Sequence, residues 1–446
     1  MIYFFLVGTL LWSYWKALLR LRAESCPLTP ILGWMAGLGY FLLLPLTLLV
    51  LNGGYTIPSF YDANDLYASV DLSRSQYIIP MLVVWLALLF SFQAIVLLKP
   101  EAKTRAGMTE FCVNEQKLRR ILLLTVGLAL LDYGVSIWML GGLEAFIVSH
   151  WYNRQLEMVE RFGDAYVLYT QLSLANQIVF TAAAALYTAR QLHLRKLNWR
   201  YSALILCAFL LQMVMSGNRI FTALYGLSVL VSCWTYARKK LIAGLLIVSP
   251  LILLLFSAWG YFRHNLSTIS EDIPTYLEGD LGNRTMTTFM NATEGAGVMV
   301  LLHIVKDFGG KFEYFYGLSY SKAILFAVPR RLYPQKPQNF TALIAHLYEP
   351  GEDTSLGATQ LGELHANFGV LSVLLLPLIT ILILLLSDKL LRNIGKYMLL
   401  SALLFLLLIW MARSSFEDNF ITFLFTLLLS KALRLERGLC YQPAET

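Results

Sequence analysis

Long apolar runs recur along almost the whole chain, and short stretches rich in Lys, Arg, Gly and Pro separate them. A run of about 20 apolar residues crosses a bilayer as an α-helix, because a helix satisfies its own backbone hydrogen bonds in lipid. The pattern predicts an all-α fold, a polytopic bundle of about eleven membrane-spanning helices. Their expected ranges are 2–18, 29–51, 77–98, 121–142, 165–189, 201–216, 220–237, 241–260, 366–386, 397–413 and 420–433.

The composition agrees with a membrane protein. Hydrophobic residues make up 57% of the 446 positions and charged residues only 14%, whereas soluble domains carry about 25% charged residues. The net charge of +7 does not indicate a nucleic-acid partner, because the cations lie in short loops between spans.

The loop cations predict the orientation of the chain. One alternating set of loops holds 22 of the 35 Lys and Arg residues and seven acidic residues, and the other side holds 13 cations and 21 acids. Basic loops face the cytoplasm. The amino terminus is therefore expected outside and the carboxyl terminus inside.

Most of the expected external mass lies in one loop, 261–365, within a single membrane domain that covers 1–446. The stretches "GAGVMVLLHIVKDF" (295–308) and "SYSKAILFAVP" (319–329) have helical patterns. Each is too short to span a bilayer. They are expected to lie along the membrane surface or to pack over the bundle.

Several classes of site are not indicated by the sequence. There is no Gly-rich phosphate loop, no dinucleotide fingerprint, no paired-His metalloprotease motif and no Gly-x-Ser-x-Gly elbow. No cysteine falls in an expected external loop, so no disulfide framework is predicted. We expect neither a cofactor nor a metal.

Cations on the expected external side form the first candidate site. They stand in "MSGNRIF", "GNRT", "VPRRLYPQKP" and "ARSSFEDNF"; the residues are Arg219, Arg284, Arg330, Arg331, Lys336 and Arg413. Arginine binds phosphate bidentately and lysine adds a point charge, so together they would form an anion pocket at the membrane surface. The alternative is that each cation snorkels to lipid headgroups.

A second candidate is "QLGELHANFG", which holds Glu363, His365 and Asn367. In a helix, Glu363 and Asn367 share one face, and Glu363 or His365 is suited to accept a proton. The alternative is a polar cap on a span. Asp132 lies inside the fourth expected span, where a carboxylate is costly; a function and a pairing within the bundle are both open. The aromatic run "KFEYFYGLSY" suits either sugar stacking or an interfacial belt.

The chain resembles the Wzy-type O-antigen polymerases, the oligosaccharide repeat-unit polymerase family. The resemblance rests on "SGNRIF", "VPRRLYPQKPQN" and "GELHANFG", with "ARSSFEDNF" as a weaker fourth segment. It implies a glycosyltransferase that joins units carried on undecaprenyl pyrophosphate at the periplasmic face of the bacterial inner membrane. Its partners would be the lipid-linked oligosaccharide, membrane lipids and a chain-length-regulating co-polymerase.

The resemblance also implies roles for the candidate residues. The six cations above would bind pyrophosphate, with Arg219 also catalytic, and Glu363 or else His365 would take the proton of the acceptor hydroxyl. Tyr333, Asn339 and Asn367 would contact sugar. Two rival functions stay open. An O-antigen ligase would place a functional histidine where His365 stands, and a flippase or transporter would carry charged residues along its spans.

Overall fold

In this computed structural model, the described residues are 1–22, 26–56, 69–99, 113–142, 164–196, 198–216, 220–236, 289–290, 293–325, 328, 332–333, 335, 337–348, 357–435 and 439. Of these described residues, 82% are helical, which confirms the mostly helical fold. The helices are α1 (Ile2–Leu21), α2 (Pro30–Leu38), α3 (Leu44–Leu51), α4 (Ile78–Leu98), α5 (Glu115–Met139), α6 (Asp164–Leu194), α7 (Trp199–Ser216), α8 (Ile220–Thr235), α9 (Thr293–Asp307), α10 (Leu318–Leu325), α11 (Phe340–Tyr348), α12 (Gln360–Phe368), α13 (Ser372–Arg392), α14 (Ile394–Met411) and α15 (Phe416–Ala432).

Six helical segments of the described chain are long and apolar enough to cross a membrane by length and composition. They are Ile2–Leu21, Pro30–Leu51, Ser75–Leu98, Glu115–Met139, Tyr169–Leu194 and Gln360–Arg392. Shorter apolar helices occupy four further predicted spans: Trp199–Met213, Ile220–Thr235, Lys396–Met411 and Asn419–Ala432. The predicted span 241–260 lies outside the described residues, so the count of eleven stays a prediction.

At the centre of the bundle, helices from early and late in the sequence pack against each other. Helix α2 packs between α13 and α14, and Gly33 and Gly37 leave no room for a Cβ against the backbone of Phe405 and Ile409. Small residues let membrane helices approach this closely. Buried polar side chains connect the same helices: the Trp34 indole donates to Thr380 Oγ1 at 2.9 Å.

Helices α9, α10, α11 and α12 form a cap on the bundle. Buried side chains of α9 (Val300, Ile304) pack with Phe340, Ile344 and Tyr348 of α11 in a hydrophobic cluster of their own. Helix α9 confirms the pattern predicted over 295–308, while α10 ends at Leu325, before the expected end at 329.

Two small elements were not predicted from the sequence. Strands β1 (Gly54–Thr56) and β2 (Ser69–Asp71) pair antiparallel, and α11 forms inside the stretch expected as loop.

A third difference is the break between α12 and α13. Gly369 takes φ +57° with the Tyr314 ring against it, a conformation that a residue with a Cβ rarely adopts. Helix α12 is therefore a separate cap element.

Candidate functional site

The Glu363 carboxylate is the point where three separate segments meet. Its Oε1 accepts a hydrogen bond from Ser319 Oγ on α10 at 2.7 Å, and its Oε2 accepts one from the Phe416 backbone N–H at 2.7 Å. Glu363 is fully buried. Hydrogen bonds to a charged acceptor are stronger than neutral ones. We call this arrangement the Glu363 junction: Ser319, Glu363, Asn367 and Phe416.

Local chain geometry places the carboxylate at this point. Thr359 caps α12 by accepting from the Gly362 N–H at 3.3 Å, which puts Glu363 in the first turn. Phe416 is the first residue of α15, so its N–H has no acceptor within that helix. A carboxylate there is favoured by the partial positive charge of a helix amino end.

Asn367 completes the junction from the next turn of α12. Its Nδ2 donates to Ser319 Oγ at 2.9 Å and to the Glu363 carbonyl at 2.8 Å, and its Oδ1 accepts from the Gly317 N–H at 2.9 Å. The shared face of Glu363 and Asn367 is thus confirmed. Since Ser319 Oγ accepts from Asn367, its own proton is directed to Glu363.

His365 lies elsewhere on α12. Residues two apart on a helix do not face each other, and His365 Nδ1 lies 3.2 Å from Ser372 Oγ with the Tyr314 ring edge nearby. The side chain is 4% exposed. The structure therefore does not bring His365 into the Glu363 junction.

Arg413 lies in the turn that leads into the junction. The Gln360 N–H donates to the Ala412 carbonyl at 3.4 Å, and the same turn continues to Phe416. The Arg413 guanidinium lies over the Phe41 ring, 6.0 Å from its centroid. Two segments that carry the family resemblance, "GELHANFG" and "ARSSFEDNF", are therefore in direct contact.

The remaining predicted residues are dispersed or outside the description. Asn339 Oδ1 accepts from the Ala342 N–H at 2.9 Å and so caps α11, and the Tyr333 side chain is exposed. The predicted cations Arg219, Arg284, Arg330, Arg331 and Lys336 lie outside the described residues. The predicted anion pocket consequently stays a prediction.

The aromatic run "KFEYFYGLSY" divides among three environments, one of which is solvent-exposed and holds Tyr316. Phe312, Tyr314 and Phe315 pack against the buried cluster of the cap. Tyr320 instead stacks on Phe368 with centroids 5.8 Å apart and contacts Phe416 at 5.6 Å. Neither a uniform interfacial belt nor a uniform sugar surface describes this run.

Sequence reasoning missed Ser319 and Phe416 as parts of the site. Phe416 contributes through its backbone N–H, which has no sequence signature of its own. Ser319 stands 44 residues before Glu363, and a serine in a short helix such as "LSYSKAIL" carries no distinctive pattern. The one available signal for this site was the polar "SS" before α15, because the backbone N–H groups at a helix amino end need acceptors.

A second buried polar group lies inside the cap, around His303 of α9. His303 Nε2 lies 3.1 Å from the Ser69 carbonyl, which only accepts, so Nε2 carries the proton and Nδ1 accepts from the Lys306 ammonium at 3.0 Å. Tyr348 donates to Asp307 Oδ2 at 3.2 Å. Burial, reinforced by the Lys306 charge, lowers the pKa of His303 from 6.5 to about 4.

Asp132 belongs to a different cluster of polar side chains, which lies between α5 and α6. Ser173 Oγ donates to Asp132 Oδ2 at 2.6 Å, and the Tyr169 hydroxyl donates to the Asp132 carbonyl at 2.9 Å. Gln177 Nε2 donates to Ser173 Oγ at 3.3 Å, and Gln212 donates to Gln177 at 2.9 Å. We call Asp132, Tyr169, Ser173 and Gln177 the α5–α6 polar row, and Gln212 of α7 contacts its end. It supports the pairing interpretation of Asp132.

Within the described ranges, no group of three or more His, Cys, Asp or Glu side chains is placed to hold a metal ion. Comparison with family models, curated proteins and solved structures finds no match to this chain. The interpretation of the site therefore depends on its geometry and on the motifs of the sequence.

Proposed function

We propose that the protein is a glycosyltransferase that polymerises undecaprenyl-pyrophosphate-linked oligosaccharide units into O-antigen or a related surface polysaccharide. The observation that carries the proposal is the contact between two motif segments at the Glu363 junction. Glu363 of "GELHANFG" binds the backbone of Phe416 in "ARSSFEDNF" at 2.7 Å. Segments that share one site in space are expected where both serve one reaction.

The proposed reaction breaks the bond between the anomeric carbon of the growing glycan and its pyrophosphate carrier. A hydroxyl of the incoming unit attacks that carbon, the lipid pyrophosphate leaves with the electron pair, and the hydroxyl proton passes to a base. Fixed cations stabilise the charge that develops on the leaving phosphate. This role is proposed for Arg219, Arg284, Arg330, Arg331, Lys336 and Arg413.

Glu363 is the base in this proposal. Its carboxylate is buried and already accepts from Ser319 Oγ and from the Phe416 N–H. The acceptor hydroxyl therefore reaches it by replacing Ser319 Oγ, the side-chain donor, which requires a small opening between α10 and α12. Asn367, which holds Ser319 from the other side, positions that hydroxyl.

The proposed setting is the periplasmic face of a bacterial inner membrane, with the amino terminus periplasmic. Eleven spans and a periplasmic loop over 261–365 belong to this proposal. Substrate and carrier are both membrane-bound in this proposal, and a site where the cap meets the bundle suits such a substrate. A co-polymerase that regulates chain length is the proposed protein partner.

The test is the lipopolysaccharide gel profile of a strain that lacks the gene, with and without a plasmid copy. We expect core plus a single repeat unit without the plasmid and a full ladder with it. Core without any repeat would replace the proposal with the ligase or with an earlier step such as flipping. An unchanged ladder would exclude O-antigen as the product.

A pair of variants tests the site in the same assay. Glu363→Gln removes the base and is expected to lower polymerisation at least about 100-fold, the lower range for a general base. Glu313→Gln changes an exposed carboxylate of the same cap and should keep the full ladder. Immunoblots of the membrane fraction check that both variants accumulate equally.

A further inference from the structure

Four aromatic rings form a continuous row beside the Glu363 junction. Phe368 stacks on Tyr320, Tyr320 contacts Phe416, and Phe416 stacks on Phe420 with centroids 5.8 Å apart. The two end rings are 37% and 39% exposed. We call Phe368, Tyr320, Phe416 and Phe420 the aromatic row.

The row depends on the junction for its geometry. Its rings come from α10, from the end of α12 and from the first turns of α15. Phe416 and Phe420 are four residues apart and so share one face of α15. The bond from the Phe416 N–H to Glu363 fixes the start of that helix. The row is therefore held in place by the same carboxylate that the proposed reaction uses.

Two buried amide side chains have an oxygen without a donor: Gln360, which contacts Tyr320, and Asn419, which precedes Phe420 in α15. Gln360 donates from Nε2 to the Tyr320 hydroxyl at 3.3 Å, and Asn419 donates from Nδ2 to Ser414 Oγ at 2.7 Å. Among the described residues, neither Gln360 Oε1 nor Asn419 Oδ1 has a hydrogen-bond partner, although the two side chains are 1% and 6% exposed. Unpaired buried acceptors are rare and call for an explanation.

The chemistry of this surface selects a ligand class. Aromatic faces attract flat apolar or C–H surfaces, and amide oxygens accept hydrogen bonds only from donors. A pyrophosphate diester has no proton to donate at neutral pH and gains nothing from these two oxygens. A sugar ring presents both a C–H face and hydroxyl donors.

We propose that the aromatic row is a sugar subsite that holds the glycan next to Glu363, with Gln360 and Asn419 as hydroxyl acceptors. This inference rests on the proposed function and extends it. The row would retain the growing or incoming chain between successive transfers. Weaker retention would then release shorter products.

The test substitutes the two exposed end rings, Phe420→Ala and Phe368→Ala, on the complementing plasmid. Each variant loses one stacking contact, and we expect the modal number of repeats in the ladder to fall about two-fold or more. Phe90→Ala is the matched control, because Phe90 is 42% exposed on the outer surface of α4. Phe420→Trp keeps an aromatic face and should restore the modal length.

The outcomes separate the inference from the function that it extends. A ladder of normal length in both end-ring variants would overturn the sugar subsite and leave the polymerase standing. Equal shortening by Phe90→Ala would also overturn it, because the row would then act only as membrane-facing surface. If the unaltered plasmid restores no ladder, the proposed function fails and the subsite fails with it. Equal amounts of each variant in membranes are required for the comparison.

Discussion

The Glu363 junction and the α5–α6 polar row each hold a carboxylate among apolar helices, but they satisfy it differently. Both oxygens of Glu363 accept from donors on segments that are 44 and 53 residues away, and the side chain is fully buried. Asp132 accepts from Ser173 at its carboxylate and from Tyr169 at its carbonyl, both on one neighbouring helix, and it stays partly exposed. The first carboxylate connects three parts of the chain, while the second joins two helices that already pack along their length.

This difference teaches where a polar residue in a membrane protein matters most. Position inside a span alone made Asp132 a candidate for function. The contacts show instead that Asp132 is part of a local row of Ser, Tyr and Gln side chains, which commonly connects helices in lipid. Glu363, at the edge of its predicted span, has the contacts expected of a residue that organises a site.

The largest expected difference between the two regions is the loss of unfolding free energy when each carboxylate is removed. Glu363→Ala leaves Ser319 and the Phe416 N–H buried without an acceptor, and we expect a loss of about 2–4 kcal/mol in the free energy of unfolding. Asp132→Ala should cost about 1 kcal/mol, because it removes the side-chain acceptor of a single, partly buried donor, the Ser173 hydroxyl. Thermal unfolding of the purified protein in detergent compares the two. Equal losses would contradict the different roles of the two carboxylates.

A smaller change in the free energy of unfolding is expected when the pH is lowered, and it arises from His303 in the cap. His303 has a pKa of about 4 in the fold and 6.5 unfolded, so the unfolded chain binds the proton more readily. Stability is then complete above pH 6.5 and falls as the pH drops toward 4. Between pH 7.5 and 5.5 we expect a loss on the order of 1 kcal/mol.

Unfolding curves at the two pH values check this prediction, with His303→Gln as the comparison. The charged and titratable groups that face His303 are Tyr77, Lys306, Asp307, Lys311 and Tyr348. The glutamine variant keeps a hydrogen-bonding side chain and removes the titration. An identical pH dependence in that variant would assign the effect to another group.

The smallest effect is expected from Asp132→Asn. The new side chain keeps an oxygen for Ser173 and removes only the charge, so the free energy of unfolding should change by less than about 0.5 kcal/mol. The ladder should also be unchanged. A loss of polymerisation in this variant, at normal protein level, would give Asp132 a function beyond helix pairing.

Local properties of the sequence predicted most of the helical bundle. Hydropathy depends on neighbouring residues only, so ten of the predicted spans coincide with apolar helices of the described chain. The same local rule placed Glu363 and Asn367 on one face. It gave no sign of the break at Gly369, which lies inside the predicted span 366–386 and has the Tyr314 ring packed against it.

The site itself was predictable only in part. Glu363 and Asn367 were named from the sequence, but Ser319, Phe416 and the aromatic row depend on which segments meet in space. Such contacts come from packing between distant parts of the chain, and no periodicity encodes them. His365, two residues from Glu363, shows how sequence proximity differs from spatial proximity on a helix.

The glycine-lined contact of α2 with α14 has a consequence for how the protein is made. The Ile31 N–H donates to Ser387 Oγ, which lies 356 residues later in the chain. The Leu28 carbonyl accepts from Ser401 Oγ, which lies 373 residues later. At about 5–20 residues per second of synthesis, the first helices stay in the membrane for roughly 20–70 s before their partners are translated. The bundle can therefore close only after α13 and α14 are translated, and loss of α14 would remove the close contact of Gly33 and Gly37 and the Ser401 bond to Leu28.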